Sequence, residues 1–340
     1  MTDEKEQGLP DPGKPGPRRG RPSRLWRWLV ALIIAIALIA GGATGYAVWR
    51  TKAALSAIQR DPGLLPSTGG AESSDADGSP LNILVVGSDS RGDDAGRSDA
   101  LLIAHVTANR DKVYLISFPR DLYVNIPGHG ENKINAAHSL GGTALTAETL
   151  EALLGITIDH AVSVDFEGFL SLSDTVGEIT VWNETSSRSG EYRFPRGELT
   201  LQSDALLAYV RQRYGLPNGD LDRAKRQRTV LRAMLVKLST RETLSDPAKL
   251  DTVLSEVGGY LTVDAGLSDE TILRIGASLK LDAASDILTL QAPTTGFGTS
   301  PDGASIDLYD PTSMSELGAA LRDDGLRSYT SRHDSLDEDY

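Results

Sequence analysis

From residue 81 onward, apolar runs alternate with polar turns. LNILVVG (81–87) is continuously apolar and closes on glycine, as a buried strand does. LLIAHVT (101–107) and KVYLISF (112–118) predict two further strands joined by the turn ANRD. TALTAETLEALLG (143–155) has helical spacing and stops on Gly155. AVSVDF (161–166) predicts a strand, EGFLSLSDTVG a short helix, and EITVW another strand. Helices come next at 201–213, with Ser203 a candidate N-cap, and at 221–238, where Val230, Leu231, Met234, Leu235 and Leu238 make the apolar stripe. Two more are expected near 246–259 and 268–279, then a strand at 287–293 and a last helix at 312–324. Strands alternating with helices predict a layered α/β/α domain around a central mixed sheet.

One apolar stretch differs in kind. WRWLVALIIAIALIAGGATGYAVW (26–49) has no charged residue from Trp28 to Trp49, enough to cross a hydrocarbon core about 30 Å thick. Trp26, Trp28, Tyr46 and Trp49 bracket it, and cations are concentrated upstream, from Lys14 to Arg27. The expectation is an uncleaved single-pass transmembrane helix over 25–49 in a cell membrane, with a cytoplasmic N-terminus and an extracytoplasmic bulk. Residues 1–24 then form a disordered cytoplasmic arm, 50–80 a flexible linker, 81–326 one domain, and 327–340 a polar tail.

The chain of 340 residues carries 34 Lys+Arg against 47 Asp+Glu, a net charge of −13, which argues against nucleic acid as a partner. Without cysteine it has no disulfide, thiolate metal site or cysteine nucleophile. The five histidines lack metal spacing, and His105, inside a strand pattern, reads as a packed residue.

Against that acidic background, YVRQRYGLPNGDLDRAKRQR (209–228) gathers arginines and threads aspartates among them. Gly215 and Pro217 end the first helix, so Arg211 and Arg213 project from its end. Arg223 and Gln227 share a face of the next helix, with Arg226 at its border. Arg223 lies in that helix's first turn, where a cation is unfavourable unless an anion is near. Guanidinium groups grip phosphate bidentately, which lysine cannot do. Asp220 and Asp222 would orient arginines or cap the helix. Lys225, Arg228 and Arg232 read as a solvated face.

Two aspartates flank the first two strands, Asp89 in GSDSRGDD and Asp99 in GRSDALL. If these strands are antiparallel neighbours, both carboxylates reach one rim, beyond the strand ends where α/β sheets bind ligands. A carboxylate pair there suits a hard cation that keeps several waters and bridges to phosphate oxygens, or else simple turn chemistry, since Asp and Ser are common in loops. Arg120 comes after the third strand in FPRD, and KIN supplies Lys133 and Asn135.

These blocks together resemble the LytR-CpsA-Psr proteins of bacterial cell envelopes. NILVVGSDS, GRSDALLI, ISFPRDLYVNIPG, KINAAHSLGG, VDFEGFLSLSDTVG and ALLAYVRQRYGLPNGDLDRAKRQR occur in the family's order from 81 to about 240, behind a short arm and single anchor. The resemblance implies a phosphotransferase. It would move a glycopolymer from a polyprenyl pyrophosphate carrier to a peptidoglycan hydroxyl. By motif, Asp89 and Asp99 resemble the pair at the Mg²⁺ (or Mn²⁺) site. Arg120, Arg211, Arg213 and Arg223 resemble the pyrophosphate clamp, and Asp220 and Gln227 its polar support. Many members have glycine where this chain has Asp222. Residues 241–326 match only loosely. Rival readings are a pyrophosphatase using water as acceptor, a non-catalytic wall scaffold, and a nucleic-acid-binding regulator, which the expected topology disfavours.

Overall fold

A computed structural model describes residues 58–65, 78–88, 98–165, 177–238, 258–281 and 284–333. The apolar run 26–49 lies outside these residues, as do the expected helix over EGFLSLSDTVG from 167 to 176 and nearly all of the one near 246–259. No helix among the described residues is long and apolar enough to cross a membrane.

The centre is a seven-stranded mixed sheet. Its strands are β1 (Gln59–Arg60), β2 (Leu81–Ser88), β3 (Ser98–Val106), β4 (Val113–Ser117), β7 (His160–Asp165), β12 (Leu261–Val263) and β13 (Ile287–Gln291), ordered β1-β12-β7-β2-β3-β4-β13. β2 pairs antiparallel with β3 and parallel with β7, and β4 pairs antiparallel with β3 and parallel with β13. The carboxyl ends of β2, β4, β7 and β13 therefore share one rim with the start of β3.

Alternation along the strands divides the core. Leu84 and Val86 face one side, where they pack with the kinked helix α1 (Ile134–Leu154) and with α5 (Pro311–Arg322) and α6 (Leu326–Arg332). Val85 and Val162 face the other side, toward α2 (Ser203–Arg211) and α3 (Asp220–Leu238). The same period of two produces the expected three layers. Local chemistry sets the helix starts. Ser268 caps α4 (Asp269–Ser278) by accepting from Thr271 N, and Asp310 caps α5 by accepting from Ser313 N, with Pro311 in its first turn.

Several expectations need correction. The linker 50–80 contains ordered chain: Ile58 and Leu64 are buried, and Gln59–Arg60 pair with β12 as an edge strand. The tail from 327 begins as a helix, because Leu326 and Tyr329 bury themselves in the core and draw the intervening polar residues in. The helix predicted at 143–155 is the second half of α1. Its first half begins at Ile134, and the halves meet at a kink where Gly142 takes φ 66°, ψ −158°, a conformation open to glycine. The N-cap of α2 is Gln202, and Ser203 is the first residue of the helix, with φ 50°. A hairpin of β5 (Tyr123–Ile126) and β6 (Gly130–Lys133) was not anticipated. Further short pairs are β8 (Ile179–Asn183) with β11 (Gly197–Leu201), β9 (Ser187–Ser189) with β10 (Tyr192–Phe194), and β14 (Gly296–Thr299) with β15 (Ser305–Leu308).

Candidate functional site

The shared rim of strand ends carries the candidate site. Pairing of Ser88 with Ser98 across β2 and β3 brings the chain positions that precede Asp89 and Asp99 together, so the antiparallel condition set for that pair is met. Asp89 itself and the side chain of Asp99 lie outside the described residues, as does the side chain of Asp220, the first residue of α3.

Arg120 stands just past β4. The β5–β6 hairpin returns the chain to it: Asn135 N donates to Arg120 O (3.2 Å), and Ile134 N donates to Leu122 O (2.8 Å). Lys133 Nζ then reaches Asp121 Oδ1 at 2.9 Å, while Arg120 Nε lies 4.0 Å from Asp121 Oδ2. Asp121 thus spaces two cations that the sequence placed on separate motifs, a role not foreseen for it. The signal was the Pro127-Gly128-His129-Gly130 stretch, whose two glycines take φ 76° and 71° and turn the hairpin.

Two cavities meet at Arg120. The polar one, about 960 Å³ and open to solvent, is lined by Arg120, Asp121, Asn132, Lys133, Asn135, Ser139, Leu140 and Arg213. Four expected substrate ligands, Arg120, Lys133, Asn135 and Arg213, therefore share one space. The other, about 560 Å³, lies between the sheet and α3. Its walls are mostly apolar, from Val85, Leu101, Leu102, Phe118, Val164 and Leu231, with Arg120, Gln227 and Arg228 as polar members. Gly87 and Ala100, directly paired across β2 and β3, keep its floor open.

The end of α2 divides its side chains as expected. Gln212 adopts extended geometry (φ −62°, ψ 123°) and is buried, while Arg211 and Arg213 on either side are exposed. In an extended segment alternate side chains point to opposite sides.

On α3, Arg223 lies in the first turn, as read, and Gln227 lines the apolar cavity. Arg226 does not join them. It is 5% exposed, and its guanidinium is held in the second core. It donates to Gln212 Oε1 (2.9 Å), Ser187 Oγ (2.8 Å) and Asn183 Oδ1 (3.1 Å), and lies 4.2 Å from the centre of the Tyr209 ring. Burial lowers its pKa from the usual arginine range. Its assignment to the substrate is withdrawn: one position past Lys225, the helix turns it toward α2. The solvated reading of Arg228 and Arg232 is also corrected. Arg228 is 2% exposed and donates to Ser117 Oγ (2.6 Å), and Arg232 donates to Ile287 O (2.7 Å). Lys225 keeps its solvated role, paired with Glu184 at 2.8 Å. Asp222 accepts from Asn218 N (2.9 Å) and Asn218 Nδ2 (3.1 Å), so it holds the turn before α3.

A family model, LytR_cpsA_psr, matches residues 53–323. A Bacillus cereus protein named polyisoprenyl-teichoic acid–peptidoglycan teichoic acid transferase TagU is 31% identical over 235 residues, covering 67% of this chain and 76% of its own. The crystal structure of Bacillus subtilis TagV superposes with a TM-score of 0.62 at 27% identity, over 73% of this chain and 97% of that one. A structure of TagT bound to LIIa-WTA superposes at 0.57 with 27% identity, over 77% and 94%. The chain belongs to the LytR-CpsA-Psr family and is a transferase. The likeness extends well past residue 240, beyond the stretch where the motifs carried it.

Proposed function

We propose that the protein is a membrane-anchored phosphotransferase acting outside the cytoplasm. It moves a glycopolymer from a polyprenyl pyrophosphate carrier to a hydroxyl of peptidoglycan. The observation that carries this reading is the place of Arg120, on the wall common to an apolar slot and a polar cavity. A lipid-linked glycan has the same order: hydrocarbon, then pyrophosphate, then sugar.

The apolar slot would take the polyprenyl chain, and the polar cavity the sugar end. Arg120, Arg211, Arg213 and Arg223 would hold the pyrophosphate, with Lys133 and Asn135 beside it. The acceptor hydroxyl attacks the phosphorus that bears the glycan. A new P–O bond forms, the bridging P–O bond breaks, polyprenyl phosphate departs, and the hydroxyl proton passes to solvent. Arginines placed on the leaving phosphate stabilise the charge that builds there. Asp89 and Asp99 would hold Mg²⁺ (or Mn²⁺); the antiparallel pairing of Ser88 with Ser98 fits a shared site. When bound, the ion neutralises phosphoryl oxygens.

The test incubates full-length protein with labelled lipid-linked glycan, peptidoglycan and Mg²⁺. Label on the wall is expected; free sugar phosphate alone would mean a pyrophosphatase using water. Arg223→Lys keeps charge and loses the planar fork, and should cut transfer roughly ten- to a hundredfold. Asp99→Ala should weaken both activity and Mg²⁺ dependence, and a wild-type metal response in that variant would overturn the metal assignment. For the anchor, a reporter active only outside the cytoplasm should work when fused after Tyr340.

A further inference from the structure

Helix α3 borders a further cavity on the side opposite the apolar slot. The slot meets Ala224, Gln227, Arg228 and Leu231, whereas this cavity meets Asp222, Lys225, Arg226 and Thr229. It encloses about 330 Å³ between α3 and the end of β8, and shares no lining residue with either cavity at Arg120. That volume is at the low end for a small-molecule site and suits a single ring. Nothing in the transfer reading uses it.

Trp182 lines this cavity and is 46% exposed. In β8, Ile179, Val181 and Asn183 are buried, so Trp182 stands on the outer face of the strand. A lone exposed aromatic is ordinary on a protein surface. This one adjoins a polar cavity whose charges balance: Glu184 and Asp222 are offset by Lys225 and Arg226. Lys225 Nζ and Glu184 Oε1 pair at 2.8 Å while their side chains stay 27% and 51% exposed, so a ligand hydroxyl can reach both. Arg226 is buried and donates to Asn183 Oδ1 of the same wall at 3.1 Å. Asp222 accepts from Asn218 N and Nδ2 and closes the turn side. It stands where many LytR-CpsA-Psr proteins have glycine, so this wall departs from the family pattern. A charge-balanced lining disfavours an ionic ligand, because either sign would meet a like charge. A large aromatic beside groups that donate and accept suits a ring with an apolar C–H face and a rim of hydroxyls.

We propose that the Trp182 cavity is an auxiliary, non-catalytic binding site for a neutral pyranose ring. Trp182 stacks on the face of the ring, and Lys225, Glu184 and Asp222 bond its hydroxyls. Such a site keeps the protein on a glycan chain independently of the reacting groups, and the inference stands apart from the transfer reading.

Titration of full-length protein with chitotetraose and with maltotetraose, neutral oligomers with and without acetamido groups, tests this. Trp182 is the one tryptophan after residue 49, so subtracting the emission of Trp182→Phe isolates its signal. Saturable binding of at least one oligomer, with a change in Trp182 emission, is expected. By calorimetry, Trp182→Ala should bind about three- to tenfold more weakly, while Trp182→Phe keeps most of the affinity. Lys225→Met, at a partly exposed position, should also weaken binding, and it decides the matter if Trp182→Ala lowers the melting temperature. No saturable binding to either oligomer would overturn the site, as would equal affinity in wild type, Trp182→Ala and Lys225→Met. Affinity lost in Arg213→Ala but kept in Trp182→Ala would place the sugar in the polar cavity and overturn it. Self-association that Trp182→Ala abolishes, with no oligomer bound, would assign this face to a second copy of the chain and overturn it too.

Discussion

Arg223, Arg226 and Arg228 lie within two turns of α3 and meet three different surroundings. Arg223 lies in the helix's first turn, Arg226 is enclosed by neutral acceptors and the Tyr209 ring, and Arg228 is sealed against Ser117. Substitution should separate them by what is lost. Arg226→Lys cannot span Gln212, Asn183 and Ser187 with one ammonium group. It should cost roughly 2–4 kcal/mol of stability, read from the denaturant midpoint, because buried acceptors lose their donors. Arg223→Lys should leave that midpoint in place and lower transfer. Equal loss of stability in both variants would mean that Arg223 too is a packing residue. A second residue-scale effect concerns acid. His105 is fully buried, with Nδ1 2.8 Å from Asn82 Oδ1 and Nε2 3.1 Å from Asp324 Oδ1, and burial lowers its pKa despite the aspartate. The unfolded chain then takes up the proton more readily. Stability contributed by neutral His105 is complete above about pH 6.5 and is lost as pH falls below it. Burial moves His138 the same way, so His105→Gln should flatten only part of the slope between about pH 8 and pH 5.5. Asp264, whose pKa is lowered despite burial through bonds from His160, Ala161 and Gly266, contributes stability that is complete at neutral pH and is lost only in more acid solution, below the ordinary carboxylate range.

Among the elements, α1 and α5 pack in close contact. Gly318 of α5 passes so close to the end of α1 that an added Cβ would lie 2.0 Å from Leu154 O, and Arg322 caps the same end by donating to Leu154 O and Gly155 O. Gly318→Ala must push the helices apart. It should cost roughly 1–3 kcal/mol or more, measured by urea unfolding. On the other face, Ala100→Leu would fill the apolar slot from its floor. Turnover of a long-chain polyprenyl donor should fall, while a water-soluble short-chain donor should be little affected; equal loss with both would argue against a lipid slot. The legible elements were those whose burial obeys one rule along their length, such as β2 with its continuous apolar run and α3 with its stripe. The hairpins were not legible because their pairing partners are polar: GENK in β6 and SRS in β9 have no apolar alternation to read. The first half of α1 was not predicted, and in the fold it joins the second half at a kink at Gly141 and Gly142. Of the residues expected from motif and charge, Arg120, Lys133, Asn135 and Arg213 line the polar cavity, and Gln227 lines the apolar one. The direction of Arg226 and Arg228 depended on which layer each helix face meets, and spacing alone cannot tell one buried face from another.

At the scale of the whole domain, helices cover both faces of the sheet, and the site opens at the rim where strand ends converge, the usual place for ligands in α/β sheets. One strand in that arrangement is contributed late. β13 comes from residues 287–291, yet it pairs in register with β4 at residues 113–117, and its Ile287 carbonyl receives Arg232. A chain made from its N-terminus therefore leaves the edge of β4, with Tyr114, Leu115 and Ile116, unpaired while residues 118 to 286 are made, about half of its synthesis. Such an unpaired apolar edge is a template for other chains. The birth order of the strands thus leaves a seam that closes late. A chain stopped after Lys280 keeps every motif residue of the site and lacks only β13 and the segments C-terminal to it. It should sediment as aggregate; a soluble monomer from that truncation would show that the edge is covered in another way.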